Sequence, residues 1–93
     1  MLGQRICEMR MALGWSQVDL ARRLGVAKQT VSNWENDNIQ PSVEMLIRVA
    51  KTFNVSTDYL LGLSKELRLD VQDLPPEVVA HISALISDYR AML

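Results

Sequence analysis

The sequence predicts an all-α fold. Three observations lead there. Apolar residues recur at spacings of three and four along most of the chain. Gly14, Gly25, Asn54 and Gly62 each follow such a run, where a chain leaving a helix favours left-handed backbone. No segment alternates apolar and polar side chains long enough to argue for a strand.

The first helix covers residues 2–13, with Leu2, Ile6, Met9 and Leu13 forming one stripe that Gly14 ends. Ser16-Gln17-Val18-Asp19 opens the second. The serine oxygen accepts a backbone N–H, and the aspartate suits the positive end of the helix. Gln17 to Leu24 then place Leu20, Ala21 and Leu24 on one face, and Gly25 turns the chain. The third helix runs from Lys28 to Asn36, with Val31 and Trp34 as its apolar stripe. Asp37 to Pro41 reads as a loop. Ser42 caps a fourth helix, whose inner side is expected to carry Val43, Leu46, Ile47, Ala50 and Phe53. Ser56 caps a short fifth, Thr57 to Leu61, with Tyr59 and Leu60 or Leu61 packing back on the core.

A charged connector from Leu63 to Asp73 separates these helices from a tail. Pro75-Pro76-Glu77 starts the tail helix, since proline fits a first turn. Val78, Ile82, Leu85, Tyr89 and Met92 follow at spacings of 4, 3, 4 and 3, with Val79, Ile86 and Leu93 beside them. So wide an apolar face must be covered. Docking on its own domain is one solution. Pairing with the same helix of a second subunit is the other, because an apolar seam at heptad spacing favours helix association. On the second reading, Val78, Ile82, Leu85, Ile86 and Tyr89 form a homodimer contact.

Ninety-three residues with 48% apolar content suffice for one small packed domain. No run of 18 apolar residues and no signal-peptide pattern is present, so the expected location is cytoplasmic, with no membrane partner. One cysteine, Cys7, excludes an internal disulfide and a cysteine-based zinc site; it reads as small apolar filler on the first helix. His81 is the sole histidine, no phosphate-binding glycine loop occurs, and no nucleophile–base pair falls together. An enzyme is therefore not expected, nor a metal or cofactor. Net charge is −1, but residues 1–40 carry five basic against four acidic side chains, and residues 41–93 five against seven. Few Lys/Arg–phosphate pairs and a shallow salt dependence follow for any nucleic-acid binding.

Two helices joined through small Ala21 and flexible Gly25 have the geometry of a helix-turn-helix, which places its second helix in the DNA major groove. The outward residues Lys28, Gln29, Thr30, Ser32 and Asn33 can reach base edges: lysine toward guanine, amides toward adenine, the threonine methyl toward thymine. The bland alternative is a solvated polar face. Phosphate contacts fall to Ser16 and Gln17 at a helix N-terminus, and to Asn36, Asn38 and Gln40 after the third helix. Arg22 or Arg23 adds a phosphate charge or is simply solvated. Trp34 belongs to the core, and Trp15 packs at the helix junction or touches DNA sugars.

The segments LGWSQVDLARRLGV, QTVSNWEN and PSVEMLIRVAKTFNVSTDYLLG, in that order, resemble the lambda-repressor/Cro-like (XRE) family from about Leu2 to Gly62. The resemblance implies a five-helix lambda-repressor-like DNA-binding domain over residues 1–63, usually dimeric, that binds operator DNA and regulates transcription. Residues 64–74 would be a connector, and 75–93 an additional C-terminal amphipathic helix for dimerisation. It further implies that Gln29 and Asn33 lead base recognition. Gln17 contacts phosphate and braces the first base-reading side chain, and Arg10 and Glu35 form a buried or half-buried structural ion pair. The expected function is a dimeric repressor on a two-fold-symmetric operator in double-stranded DNA. The competing reading is a protein-interaction module, such as an antitoxin or a regulator bound by a protein partner, with weak DNA contact.

Overall fold

A computed structural model describes residues 2–93 and, among them, six α-helices and no strand. They are α1 (Leu2–Ala12), α2 (Gln17–Leu24), α3 (Lys28–Glu35), α4 (Val43–Phe53), α5 (Thr57–Leu60) and α6 (Pro76–Met92). The polar punctuation acts where the sequence puts it. Ser16 Oγ accepts the Asp19 N–H (3.0 Å) while Asp19 Oδ2 accepts the Ser16 N–H (2.8 Å), a complete capping box. The backbone bond from Ser16, above all, holds the Asp19 carboxyl below its usual range. Ser42 and Ser56 cap α4 and α5 through the N–H groups of Met45 (3.2 Å) and Tyr59 (3.0 Å). Gly25 and Asn54 close α2 and α4 in the left-handed conformation, φ 71° and 55°.

Among the described residues, every buried one lies between Leu2 and Leu60. Ile6 of α1, Leu20, Ala21 and Leu24 of α2, Val31 and Trp34 of α3, Val49, Ala50 and Phe53 of α4, and Leu60 of α5 form one core. Trp15 stacks on Phe53 with ring centroids 6.0 Å apart, and the Arg23 guanidinium covers it at 4.0 Å. Packing at the helix junction is thus what Trp15 does here. Tyr59 is half-buried beneath the Arg5 guanidinium, which sits 4.5 Å from its ring centroid.

Three expectations need correction. On α4, Val43 is 76% exposed and Ile47 faces outward as well, whereas Val49 is fully buried. With apolar residues at seven of eleven positions, α4 offers two overlapping stripes, and contact with α1 and α2 selects the one through Leu46, Val49, Ala50 and Phe53. Leu13 lies beyond α1 and is exposed. Of the two leucines left open on α5, Leu60 is the one that enters the core. Cys7 is only half-buried, its Sγ 3.6 Å from Arg10 Nη2; burial first, and then the nearby Glu35, push its thiol up.

Gly3 is a packing residue that the spacing does not announce. A Cβ there would come within 2.7 Å of the Glu35 carbonyl and Asp37 Oδ1, and nearer still to the Trp34 carbonyl. Its N–H also donates to Asp37 Oδ1 at 3.2 Å. The start of α1 therefore rests directly on the end of α3. Alanine in a helix interior normally gains about 1 kcal/mol over glycine. At Gly3, overpacking against backbone reverses the sign, and Gly3→Ala is expected to lose about 1–2 kcal/mol. Urea unfolding of the variant measures this.

Beyond Leu60 no residue is buried. The connector passes alongside α4 and α5, leaving an open cleft of about 600 Å³ lined by Lys51, Asn54, Asp58, Arg68 and Leu69 among others. The 17 residues of α6 carry their apolar face uncovered, with Leu85 69% and Tyr89 63% exposed and only Val79 and Ile82 half-covered. Docking of α6 into the domain's own core is not observed. No helix among the described residues is long and apolar enough to cross a membrane.

Candidate nucleic-acid interface

Glu35 organises the region. It ends α3 with its side chain 4% exposed, facing an Arg10 side chain that is 12% exposed. Arg10 Nε donates to Oε2 at 2.7 Å and Nη2 to Oε1 at 3.0 Å, a bidentate pair. The remaining arm of the guanidinium, Nη1, donates to the Trp15 carbonyl at 2.7 Å. Gln17 Nε2 donates to Glu35 Oε1 at 3.1 Å. One carboxylate thus ties the end of α1, the α1–α2 junction and the first residue of α2 to the end of α3.

Burial alone would raise the Glu35 carboxyl; hydrogen bonds from Arg10, then Gln17, outweigh it and hold the group below the usual carboxylate range. The same bonding to Glu35 raises Arg10 above its ordinary value. The pair that the resemblance implied is therefore present and half-buried. The Gln17 amide is thereby anchored on Glu35 at the first residue of α2.

Behind this cluster, α3 turns one face to the core through Val31 and Trp34 and the other outward. Lys28 and Gln29 are exposed; Thr30, Ser32 and Asn33 are half-exposed. Gln29 Nε2 donates to Asn33 Oδ1 at 3.1 Å, so the two amides stand one turn apart on the same face. Asn36 Nδ2 reaches Ser32 Oγ at 3.3 Å. Asn38 and Gln40 are exposed in the following loop, where the Asn38 N–H donates to the Asn33 carbonyl at 2.9 Å. Ser16 is exposed at the start of α2, with its oxygen engaged in the capping box. The base-contacting candidates thus lie on α3 and the amide and hydroxyl phosphate candidates at the start of α2 or after α3, while Arg22 and Arg23 sit in the last turn of α2, both exposed.

Two supports escaped the sequence reading. Arg48 of α4 donates from Nη2 to the Leu24 carbonyl at 2.7 Å, closing the C-terminal end of α2 beside the turn. Gly3 seats α1 against the end of α3, as described above. A glycine inside a helical stripe and a basic residue at an outward position were the available signals, and neither identifies its partner.

A short capped helix, a left-handed glycine turn and a second helix with an outward amide face define a helix-turn-helix unit. The family model for the helix-turn-helix matches residues 8–60. The chain is 36% identical over 92 residues to the HTH-type transcriptional regulator ImmR of Bacillus subtilis, covering 99% of this chain and 72% of that protein. Its fold resembles the P22 c2 repressor solved with a synthetic operator (TM-score 0.62, 33% identity, 64% of this chain and 91% of that one). It also resembles a SinR protein–SinI protein complex (TM-score 0.64, 29% identity, 95% of this chain and 81% of that one). The chain belongs to the helix-turn-helix family, in its lambda-repressor-like (XRE) branch, a family of transcriptional regulators and not of enzymes.

Proposed function

We propose that the protein is a cytoplasmic, sequence-specific repressor that binds as a homodimer to a two-fold-symmetric operator in double-stranded DNA. The observation that carries this reading is the outward Gln29–Asn33 amide pair on a helix whose base is fixed by the half-buried Arg10–Glu35–Gln17 cluster. In the major groove, Gln29 and Asn33 read adenine edges, Lys28 donates to guanine, and the Thr30 methyl and Ser32 fill in beside them. Ser16, Gln17, Asn36, Asn38 and Gln40 hold phosphates on either side. The likeness to the P22 c2 repressor bound to an operator supports this docking.

In this reading residues 1–63 bind DNA, 64–74 connect, and 75–93 join two subunits through Val78, Ile82, Leu85, Ile86 and Tyr89. The uncovered face of α6 supports it. Half-site centres then lie about one helical turn, ~34 Å, apart. Footprinting of the flanking promoter should reveal a protected stretch with two-fold-related halves.

Ending the chain after Gly62 leaves every buried residue in place. The shortened protein should stay folded, sediment as a monomer and lose operator affinity. A dimeric mass for the shortened protein would remove α6 from dimerisation.

A second reading, a regulator whose tail is taken by a different protein, draws on the likeness to the SinR–SinI complex. It predicts that DNA retardation is indifferent to Gln29 and Asn33.

A further inference from the structure

We infer that α6 pairs antiparallel with α6 of a second copy, in the register that sets His81 against Asp88 of the partner subunit. This rests on the reading of α6 as the dimerisation element and adds its direction and register. The 4-3-4-3 seam makes Ile82 and Tyr89 the a positions of a heptad and Val78, Leu85 and Met92 the d positions. One flank, position e, then carries Val79, Ile86 and Leu93, and the other flank, position g, carries His81 and Asp88. The two flanks differ completely in chemistry, and that difference selects a direction.

In a parallel pair, e of one helix lies beside g of the other. Apolar Ile86 and Leu93 would then be set against His81 and Asp88 along both edges of the seam. In an antiparallel pair, e faces e and g faces g. Taking Ile82 against Leu85 of the partner subunit gives four layers, with Val78 against Tyr89 at both ends. Val79 then meets Ile86 on a wholly apolar edge, and His81 meets Asp88 on a wholly polar one. Only this arrangement gives the half-covered Val79 and the exposed Ile86 apolar partners and opposes an imidazole to a carboxylate. Opposed helix directions also place each positive N-terminus beside a negative C-terminus.

Cysteine cross-linking of the full chain tests the direction, in a Cys7→Ser background that leaves α6 untouched. Val78→Cys and Tyr89→Cys proteins are prepared separately, mixed, allowed to exchange subunits and mildly oxidised. The expected product is a disulfide between position 78 of one variant and position 89 of the other, with neither variant cross-linking alone. A Val78→Cys homodisulfide would overturn the direction while leaving the dimer intact. A dimeric mass with no disulfide in any sample would overturn the register. A monomeric mass at sedimentation equilibrium would overturn the dimer reading itself.

The polar edge gives a second measurement that leaves the seam alone. H81E should weaken the dimer about fivefold by opposing like charges, and H81E combined with D88K should restore it. Indifference to both substitutions would overturn the His81–Asp88 pairing.

Discussion

Replacing Glu35 with glutamine should cost about 2–4 kcal/mol of stability, somewhat less than the about 3–5 kcal/mol of a fully buried pair, because it strands the Arg10 charge in a largely shielded position. Small domains are stable by about 5–15 kcal/mol in total, so the variant would be marginally folded. Urea unfolding followed by tryptophan fluorescence reports it, since Trp15 and Trp34 both lie in or against the core. A solvent-exposed ion pair would cost only about 0–1 kcal/mol, and a loss of that size would refute the buried role. The pair also has a pH signature. The folded-state carboxyl lies below its ordinary value, so its stabilisation is complete above the unfolded value of about 4.5 and disappears as the pH falls through the folded value. Acid unfolding of the native protein should show this loss below about pH 4.5, and Glu35→Gln should lack it. DNA affinity should fall with stability, because the same carboxylate positions the first residue of α2 through Gln17.

Gln29→Ala and Asn33→Ala should have the opposite profile, with folding intact and recognition lost. Neither side chain is in the core, and alanine favours a helix. A good bidentate amide–base pair is worth about 1–3 kcal/mol of discrimination, or roughly 5- to 150-fold in affinity for each substitution. The two losses should not add, because Gln29 donates to Asn33 and each amide orients the other. Mobility shifts on the operator and on unrelated duplex distinguish the outcomes. Specific binding should collapse toward the non-specific level, while the non-specific level stays as it was, since phosphate contacts come from other residues. Retention of operator affinity by the double variant would transfer recognition elsewhere.

The local chemistry of the chain was readable because its signals act over one turn. The Ser16–Asp19 box, the serine caps at 42 and 56, and the left-handed Gly25 and Asn54 each need only near neighbours. The outward face of α3 was readable for the same reason, since two apolar residues in eight leave little choice of which side is buried. Tertiary decisions were not. On α4 the periodicity admits two stripes, and only docking against α1 and α2 prefers Val49 to Val43 and Ile47. The closeness of Gly3 to the Trp34 carbonyl joins residues 31 positions apart, beyond any local pattern. Gln17 has two plausible hydrogen-bond partners by position, and the partly buried Glu35 carboxylate is the stronger acceptor. Arg10 and Glu35 were foreseen through resemblance alone, because no spacing rule links them.

The most direct test is selection from a random duplex pool, run in parallel with the native protein and the Gln29→Ala/Asn33→Ala variant. The native protein should enrich sequences with two related half-sites whose centres lie ~34 Å apart, with adenine positions prominent. The variant should enrich none of them. An unenriched pool from the native protein, or the same enriched sequences from both proteins, would contradict recognition through the outward amides of α3.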